Sequence, residues 1–403
     1  MNKKDPVLKS VLLVSSVYDP VFLGGAERVV QGLAEGLVDR GIRVCVVTTC
    51  FGESKIRRVL NGVEIVGLPV LNMYNPFNDE KISKLDKVLW HVFDSYNSWM
   101  KRAFLDILKE FQPQVVNTHT LAGFSVSIWS AVKLLGIPLV HTFHDQYLLC
   151  VNGAMQKYGS NCSRRCSACF CSSRLKSLHL NKVDTYIGVS DFIVDRHRLF
   201  LSGVRNKRSV TIYNSYERPS LDCGKEVESG SGIRFGFLGG IHPRKGIDNL
   251  IESFLGSDLR YSSLLIAGKG DLSYVESLKK RTEGASNIKW LGFVNSAGFL
   301  REVDVLVIPS EWHDTAPLAA VEGMAWGCPI IASDRGGLPE LIGEAGWLFE
   351  PSELGSLISL LEYCESNLPI VQQVALKAKE RASYFTRKRM LDSYENEFLN
   401  AVG

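Results

Sequence analysis

Short apolar runs recur along the chain, separated by longer stretches in which apolar positions return every three or four residues. Val11–Val14, Val44–Thr48, Val63–Val66, Val115–Asn117, Leu139–Thr142 and Thr185–Val189 are rich in Val, Ile and Leu, the pattern of strands buried on both faces. Their alternation with helical periods predicts βαβ units and a parallel sheet. A second series follows at Arg234–Leu238, Leu264–Ala267, Ile288–Leu291, Val305–Ile308 and Pro329–Ala332. Between the two lies Glu217–Gly232, polar, rich in Gly and Ser and without a hydrophobic period. The fold class expected is therefore α/β, with two Rossmann-like parallel-sheet domains facing a cleft: residues 1–216, a linker at 217–232, and residues 233–384. A last helix is expected over Phe385–Val402, with Met390, Leu391, Tyr394 and Phe398 as its apolar stripe.

Two segments fall outside that scheme. From Lys81 to Glu110 a helical period carries Ile82, Leu85, Leu89, Val92, Phe93, Tyr96, Trp99 and Met100, with Lys81, Lys84, Lys87 and Lys101 around them. The first expectation is a helix packing this stripe on the N-terminal domain. The alternative is a helix lying on an anionic membrane, which would fit a lipid-linked acceptor. The second segment is a cysteine-rich insert, 150–171.

Composition narrows the class. With 403 residues the chain exceeds one ordinary core, which agrees with two domains. The 46 basic and 43 acidic residues leave a net charge of +3, too small to argue for nucleic acid as a partner. The N-terminal apolar run is much shorter than a signal-peptide core, and no window approaches the roughly 18 apolar residues of a membrane span. The expected location is the cytoplasm, with peripheral attachment to the inner face of the membrane as the alternative. Ten cysteines in such a setting read as reduced thiols or metal ligands rather than disulfides.

Gly24 and Gly25 open an amphipathic helix after the first strand. Exposed amides at such a turn suit phosphate or a polar substrate group, while a tight strand-to-helix turn accounts for the diglycine equally. The sequence resembles glycosyltransferase family 4 on a set of motifs spanning nearly the whole chain. These are GGAER at Gly24–Arg28, NTHT at Asn117–Thr120, HTFHD at His141–Asp145, IGVS at Ile187–Ser190 and IYN ending at Asn214. The second half adds FLGGIHPRKG at Phe237–Gly246, IAGKG at Ile266–Gly270, LGFV at Leu291–Val294 and the long motif from Pro309 to Ile342.

The resemblance implies a retaining nucleotide-sugar glycosyltransferase of the GT-B type, with the donor held mainly by the C-terminal domain and the acceptor by the N-terminal one. Arg244 and Lys245 would stabilise the departing nucleotide diphosphate as the sugar bond breaks. Where the family often has Arg after the first glycine of this loop, the chain has Gly240, following Gly239. Glu322 would accept the donor ribose hydroxyls, a geometry a carboxylate suits. Asp314 occupies the first acidic position, where the family usually has Glu, and Glu311 could serve instead. Ala316, Pro317 and Leu318 would offer backbone amides to sugar and phosphate, with Gly24, Gly25, Gly239 and Gly240 completing the donor set. His119 would face the reacting sugar, and Glu27, His144 and Asp145 would lie on the acceptor side. In this family the last helix crosses back to the first domain.

No protein nucleophile or divalent metal is expected for catalysis; front-face substitution has the donor phosphate oxygen deprotonate the acceptor hydroxyl. No cofactor is required. The partners expected are a nucleotide-sugar donor and a glycan or lipid-linked acceptor, in polysaccharide or glycoconjugate biosynthesis. Cys150, Cys162, Cys166 and Cys169 would suit a structural zinc, or are buried unligated thiols. Two other classes compete: a non-catalytic GT-B scaffold that binds nucleotide sugar, and a GT-B epimerase or phosphorylase.

Overall fold

The computed structural model describes residues 7–20, 24–77, 82–218 and 232–403. The chain divides into two compact units. The first comprises residues up to Met155, Cys162–Tyr213 and Arg387–Gly403; the second comprises Gln156–Asn161 and Asn214–Thr386.

From the N-terminus, β1 (Ser10–Val14), β2 (Arg43–Cys50), β3 (Ile56–Leu60), β4 (Val63–Pro69), β5 (Val115–Thr118), β6 (Leu139–Phe143), a short β7 (Gln156–Lys157) and β8 (Ser160–Asn161), then β9 (Thr185–Gly188) and β10 (Arg208–Thr211) follow in chain order, all in the first unit except β7 and β8, which lie in the second. All but β7 and β8 form one sheet in the order β10-β9-β6-β5-β1-β2-β4-β3, parallel except for β3 against β4. The second unit's sheet contains β11 (Arg234–Leu238), β12 (Ser263–Ala267), β13 (Ile288–Gly292), β14 (Val305–Ile308), β15 (Ile330–Ser333) and β16 (Gly346–Phe349). Its order is β13-β12-β11-β14-β15-β16, parallel throughout.

Central strands such as β1 and β14 read as unbroken apolar runs because helices cover both faces, and their residues from Val11 to Val14 and Val305 to Leu306 have no exposed surface. In each sheet the first strand lies in the middle, and the chain builds outward first on one side and then on the other. The loops leaving β1 and β5, and those leaving β11 and β14, therefore diverge at the strands' C-terminal ends. A crevice at that reversal is where doubly wound sheets bind ligands.

Helix α1 (Gly25–Asp39) puts Val29, Val30, Leu33, Ala34 and Leu37 into the first unit's core. The C-terminal helix Arg387–Val402 packs on the same core through Met390, Leu391, Tyr394 and Phe398, and Arg40 ties to it through Asp392 and Glu395.

The stretch from 81 to 110 departs from expectation. Lys81 lies outside the described residues. The remainder forms two helices, α2 (Lys84–Ser95) and α3 (Ser98–Phe111), divided where the Asn97 side chain accepts from Trp99 N–H and Met100 N–H and so starts a new helix. The expected inward stripe is corrected as well. On α2 only Trp90, Asp94 and Ser95 are buried, because Trp90 Nε1 donates to the Tyr74 carbonyl and Asp94 anchors a buried network that turns this face inward. Leu85, Val88 and Val92 are exposed.

The linker expected at 217–232 falls largely on residues 219–231, outside the described ones. The insert 150–171 does not stay with the first unit, since its residues 156–161 belong to the second.

Candidate active site

In the second unit the turn after β11 carries His242, Pro243, Arg244 and Lys245. His242 Nδ1 accepts from Arg244 N–H at 3.2 Å, capping a short helical turn. The turn is pinned to the loop after β14: the Arg244 carbonyl accepts from Glu311 N–H at 3.0 Å. Gly246 makes that approach feasible. Its φ is +69°, and a Cβ there would sit 1.8 Å from the Pro309 carbonyl oxygen, so no other residue fits.

The ammonium of Lys245 pairs with the carboxylate of Asp314, which is buried. The backbone of Asp314 is fixed from two sides, its N–H donating to Trp312 O and its carbonyl accepting from Gly337 N–H, each at 2.8 Å. Gly336, at φ +62°, lets the Asp-Arg-Gly-Gly loop pass within contact of the Asp314 carbonyl. Of the two acidic candidates, Asp314 is thus the one joined to Lys245. Glu311 is only half-buried, its carboxyl raised above the usual range by desolvation and by the Asp248 and Glu252 carboxylates.

Ala316 and Pro317 lead into the helix Leu318–Ala325, at whose start Leu318 lies; the Asn214 side chain holds this entry by donating to the Ala316 carbonyl at 3.1 Å. Glu322 sits in that helix, 5% exposed. Gly239 and Gly240 follow β11 directly, and the Gly239 amide donates to Ala267 O.

Sequence reasoning did not single out Gln156–Asn161. Tyr158 and Gly159 have φ of +51° and +79°, both positive as a tight two-residue hairpin turn requires. Asn161 Nδ2 donates to the Glu311 carbonyl at 2.7 Å, and its Oδ1 accepts from His313 N–H at 3.2 Å. Lys157, Tyr158, His242, Arg244 and Glu311 are among the residues around a cavity of about 160 Å³.

In the first unit, Gly24 and Gly25 start α1 beyond the end of β1. The Glu27 carboxylate accepts from Gly24 N–H at 3.0 Å, an N-terminal capping contact, and its pKa is raised by burial. His119 lies just past β5, its N–H donating to Val14 O at 2.9 Å, so it stands at the reversal between β1 and β5. Its Nδ1 is 2.9 Å from Nε2 of His144, which follows β6. Burial and the neighbouring imidazoles His144 and His141 push the His119 pKa well below the usual value, and burial takes His144 down to about 4.

Two neutral imidazoles at this distance share one proton. Either His144 donates and His119 Nε2 carries a hydrogen, or His119 donates from Nδ1 and its Nε2 is left as an acceptor. In both cases Nε2 is buried without a protein partner, which suits a substrate hydroxyl. The Tyr394 ring lies 6.3 Å from that of His119.

Asp145 accepts from Tyr147 N–H at 2.8 Å, and burial raises its carboxyl to about 6. Behind it is a network with no sequence signal beyond residue type. The Tyr147 hydroxyl donates to Asp94 Oδ2 at 2.7 Å, Gly123 N–H donates to Asp94 Oδ1 at 2.9 Å, and Lys176 Nζ donates to the Tyr147 carbonyl at 2.8 Å. After α4 (Ser127–Leu134) comes α5 (Ser167–Ser177), which carries Lys176, so this network fixes the His144–Tyr147 loop against α2 and α5.

Of the four cysteines expected as ligands, Cys169 neighbours both Cys150 and Cys166. The Cys169 thiol donates to Cys150 at 3.5 Å, making Cys150 the more acidic of the two. Cys166 stands at the exposed start of α5, and Cys162 is tied through its backbone N–H to Met155 O. Among the described residues, no group of three or more His, Cys, Asp or Glu is placed to hold a metal ion.

Comparison with known proteins bears on both units. The family model described as Glycosyltransferase Family 4 matches residues 23–217, and that described as Glycosyl transferases group 1 matches residues 232–371. An uncharacterized 42.6 kDa protein in the cps region of Klebsiella pneumoniae is 31% identical over 332 residues, covering 82% of this chain and 87% of the relative. Sucrose-phosphate synthase from Thermosynechococcus elongatus has a similar structure, with a TM-score of 0.77 at 18% identity over 97% of this chain and 98% of that one. Anabaena HepE in complex with UDP-glucose gives a TM-score of 0.69 at 17% identity, covering 97% and 99%.

Proposed function

The chain belongs to glycosyltransferase family 4 and has the GT-B fold, and on that footing we propose that it moves a hexosyl-type sugar, with retention, from a nucleotide-sugar donor to a glycan or lipid-linked acceptor. Its coarser role is that of a glycosyltransferase of polysaccharide or glycoconjugate biosynthesis. The observation that carries the finer reading is the pairing of half-buried Lys245 with the buried Asp314 carboxylate at the reversal between β11 and β14, the position where a doubly wound sheet takes a nucleotide.

Lys245, with Arg244 beside it, supplies positive charge to the diphosphate as the sugar leaves. Asp314 orients the Lys245 ammonium and accepts from sugar hydroxyls, and Glu322 accepts from the ribose. In the first unit His119 Nε2 meets a hydroxyl of the reacting sugar, and His144 holds that ring in place. Asp145 and Glu27 lie toward the acceptor. The reaction proceeds by front-face substitution without a protein nucleophile: the bond from anomeric carbon to phosphate oxygen breaks, the acceptor oxygen bonds on the same face, and its proton passes to the departing phosphate. HepE is described in complex with UDP-glucose, which supports a nucleotide sugar as donor here. Catalysis needs no metal or other cofactor, and the enzyme works in the cytoplasm with peripheral contact to the inner face of the membrane. Any zinc would be structural, held by Cys150, Cys162, Cys166 and Cys169, and the closeness of Cys169 to both Cys150 and Cys166 supports that reading.

The test is a panel of UDP-, GDP- and ADP-sugars offered to the purified protein, reading thermal shift and nucleotide release with and without a membrane lipid extract. One stabilising donor whose nucleotide is released only with the extract is the expected result. Binding without release would favour the non-catalytic scaffold, and release without any acceptor would favour the epimerase.

A further inference from the structure

On α2 the exposed apolar residues form one side of the helix. Taking Trp90 as the buried centre, Val88, Val92, Leu85, Leu89 and Phe93 fall on an arc of about 140° at the 100° step of an α-helix. Leu85 is 68% exposed, Val88 60%, Val92 56% and, at the start of α3, Trp99 62%. A monomeric protein rarely leaves such a set of neighbours uncovered.

The surface continues onto α5. Ser95 Oγ lies 3.5 Å from Ser172 Oγ, and the Tyr96 ring stacks on His179 at 4.8 Å, so the end of α2 abuts α5 and the turn after it. From α5, Phe170 and Leu175 are exposed, and Leu178, just beyond it, is exposed as well.

Charge identifies the occupant. From Cys162 to Val183 the chain holds five cations and no Asp or Glu; Lys176 is buried, so the surface charge comes from exposed Arg164 and Arg174 with half-buried Arg165 and Lys182, although the whole chain carries only +3. Exposed Lys84 borders one edge of the arc on α2 and half-buried Asp86 the other, Lys87 is exposed farther round the helix, and exposed Arg102 on α3 and Arg174 on α5 add positive charge. Large apolar side chains bordered by cations match the two layers of an anionic bilayer surface: acyl chains below, phosphate headgroups above. A second copy of the chain would set these cations against one another, which disfavours self-association through the same face.

We propose that α2, the start of α3 and α5 together form a docking face for an anionic lipid surface. This deepens the membrane contact proposed above and brings the end of the cysteine-rich insert, Ser167–Cys171, into that contact, because α5 begins there. A transferase seated in this way meets a lipid-linked acceptor at the headgroup level.

The full-length protein should co-sediment with vesicles of phosphatidylglycerol and phosphatidylethanolamine and much less with phosphatidylcholine alone, and raised salt should weaken the binding. The triple variant Leu85→Ser, Val88→Ser, Val92→Ser should lose roughly tenfold or more of its vesicle affinity, as expected from removing that much inserted apolar surface. Arg174→Glu with Lys84→Glu should weaken binding to the anionic vesicles, which isolates the charge contribution and the part of α5. Thermal-shift binding of the nucleotide sugar should stay unchanged in every variant, so a failed donor assay with intact vesicle binding would count against the transferase reading alone. Wild-type protein that ignores both kinds of vesicle, or a triple variant that binds as wild type does, would overturn the proposal. So would light scattering that finds a wild-type dimer dispersed by the triple variant, since a second copy would then cover the face.

Discussion

Lys245 and Asp314 form an ion pair in which the carboxylate side chain is 8% exposed and the lysine 32%. Breaking such a pair leaves a buried charge without its partner. Lys245→Ala should cost about 2 kcal/mol of stability, less than for a fully buried pair because solvent screens the lysine. Its effect on turnover should be larger, a loss of orders of magnitude, because in the proposed mechanism the same ammonium neutralises the leaving diphosphate. Glu322→Ala should cut turnover comparably while leaving the fold intact. Steady-state nucleotide release together with thermal melting separates the two effects, and near-wild-type rates in both variants would refute the site assignment.

Gly246→Ala tests the backbone geometry that makes the pair feasible. At φ +69° an alanine is strained, and its Cβ would have to displace the Pro309 carbonyl, which lies 1.8 Å away. The turn carrying Arg244 and Lys245 would then separate from the loop carrying Asp314. The expected outcome is weaker donor binding, by roughly tenfold or more, with a lowered melting temperature. Donor titration followed by thermal shift gives both readings.

The histidine pair fixes the sign of a pH dependence. His144 titrates at about 4 when folded, against an ordinary value of 6.5, because burial disfavours its charged form. The unfolded chain therefore takes up the proton first as pH falls. The stability that neutral His144 contributes is complete above pH 6.5 and lost as pH drops towards about 4. Asp145 acts in the opposite sense: raised from 3.8 to about 6, its stability contribution is present at low pH and fades as pH rises through 6. Melting temperature should fall between pH 6.5 and 4; His144→Gln should flatten that fall, and Asp145→Asn should steepen it. A pH series of thermal melts decides whether the slopes change in these directions.

Most of the two sheets was legible because central parallel strands must be apolar on both faces. Every strand read from the sequence, from Val11–Val14 to Pro329–Ala332, overlaps a strand of the structure. Those not read are peripheral: β3 is an antiparallel edge with the pattern Ile-Arg-Arg-Val-Leu, and β10 and β16 are the outer strands of their sheets, only partly buried. β3 and β10 are interrupted by polar residues and β16 offers only three apolar residues in a row, whereas β13, also an outer strand, was read at Ile288–Leu291. The motif residues could be named from the family resemblance that their contiguous strings carry, whereas Asp94, Tyr147 and Lys176 meet only through tertiary packing, from positions 94, 147 and 176. The helix from Lys84 carried a clear apolar period, but a period gives the direction of a face and not what covers it.

The Asp94 network should be tightly coupled. Tyr147→Phe removes the hydroxyl that donates to Asp94 Oδ2 and leaves a buried carboxylate oxygen with one fewer partner, at a cost of about 1–3 kcal/mol. Asp94→Asn keeps an acceptor and should cost less. The double variant should lose less than the two single losses added together, because the second change removes a partner already absent. Urea denaturation of the four proteins measures the coupling, and simple additivity would mean that the contact contributes nothing of its own.

Asn161 tests whether the hairpin from the insert supports the donor site. Its side chain satisfies two backbone groups, the Glu311 carbonyl and the His313 N–H, immediately before Asp314. Asn161→Ala would leave both to solvent, at a cost of about 1 kcal/mol in this half-buried setting. The carboxylate of Asp314 keeps its lysine partner and its own backbone bonds, so the chemical groups remain. Their placement loosens, because the stretch from Glu311 to His313 now moves more freely. The donor KM should therefore rise several-fold with a smaller change in kcat, the pattern of a residue that positions a binding loop without touching the reacting atoms. Asn161→Asp retains the acceptor for His313 N–H but sets a carboxylate against the Glu311 carbonyl, so it should recover little. Unchanged kinetics in Asn161→Ala would confine the hairpin to a structural role.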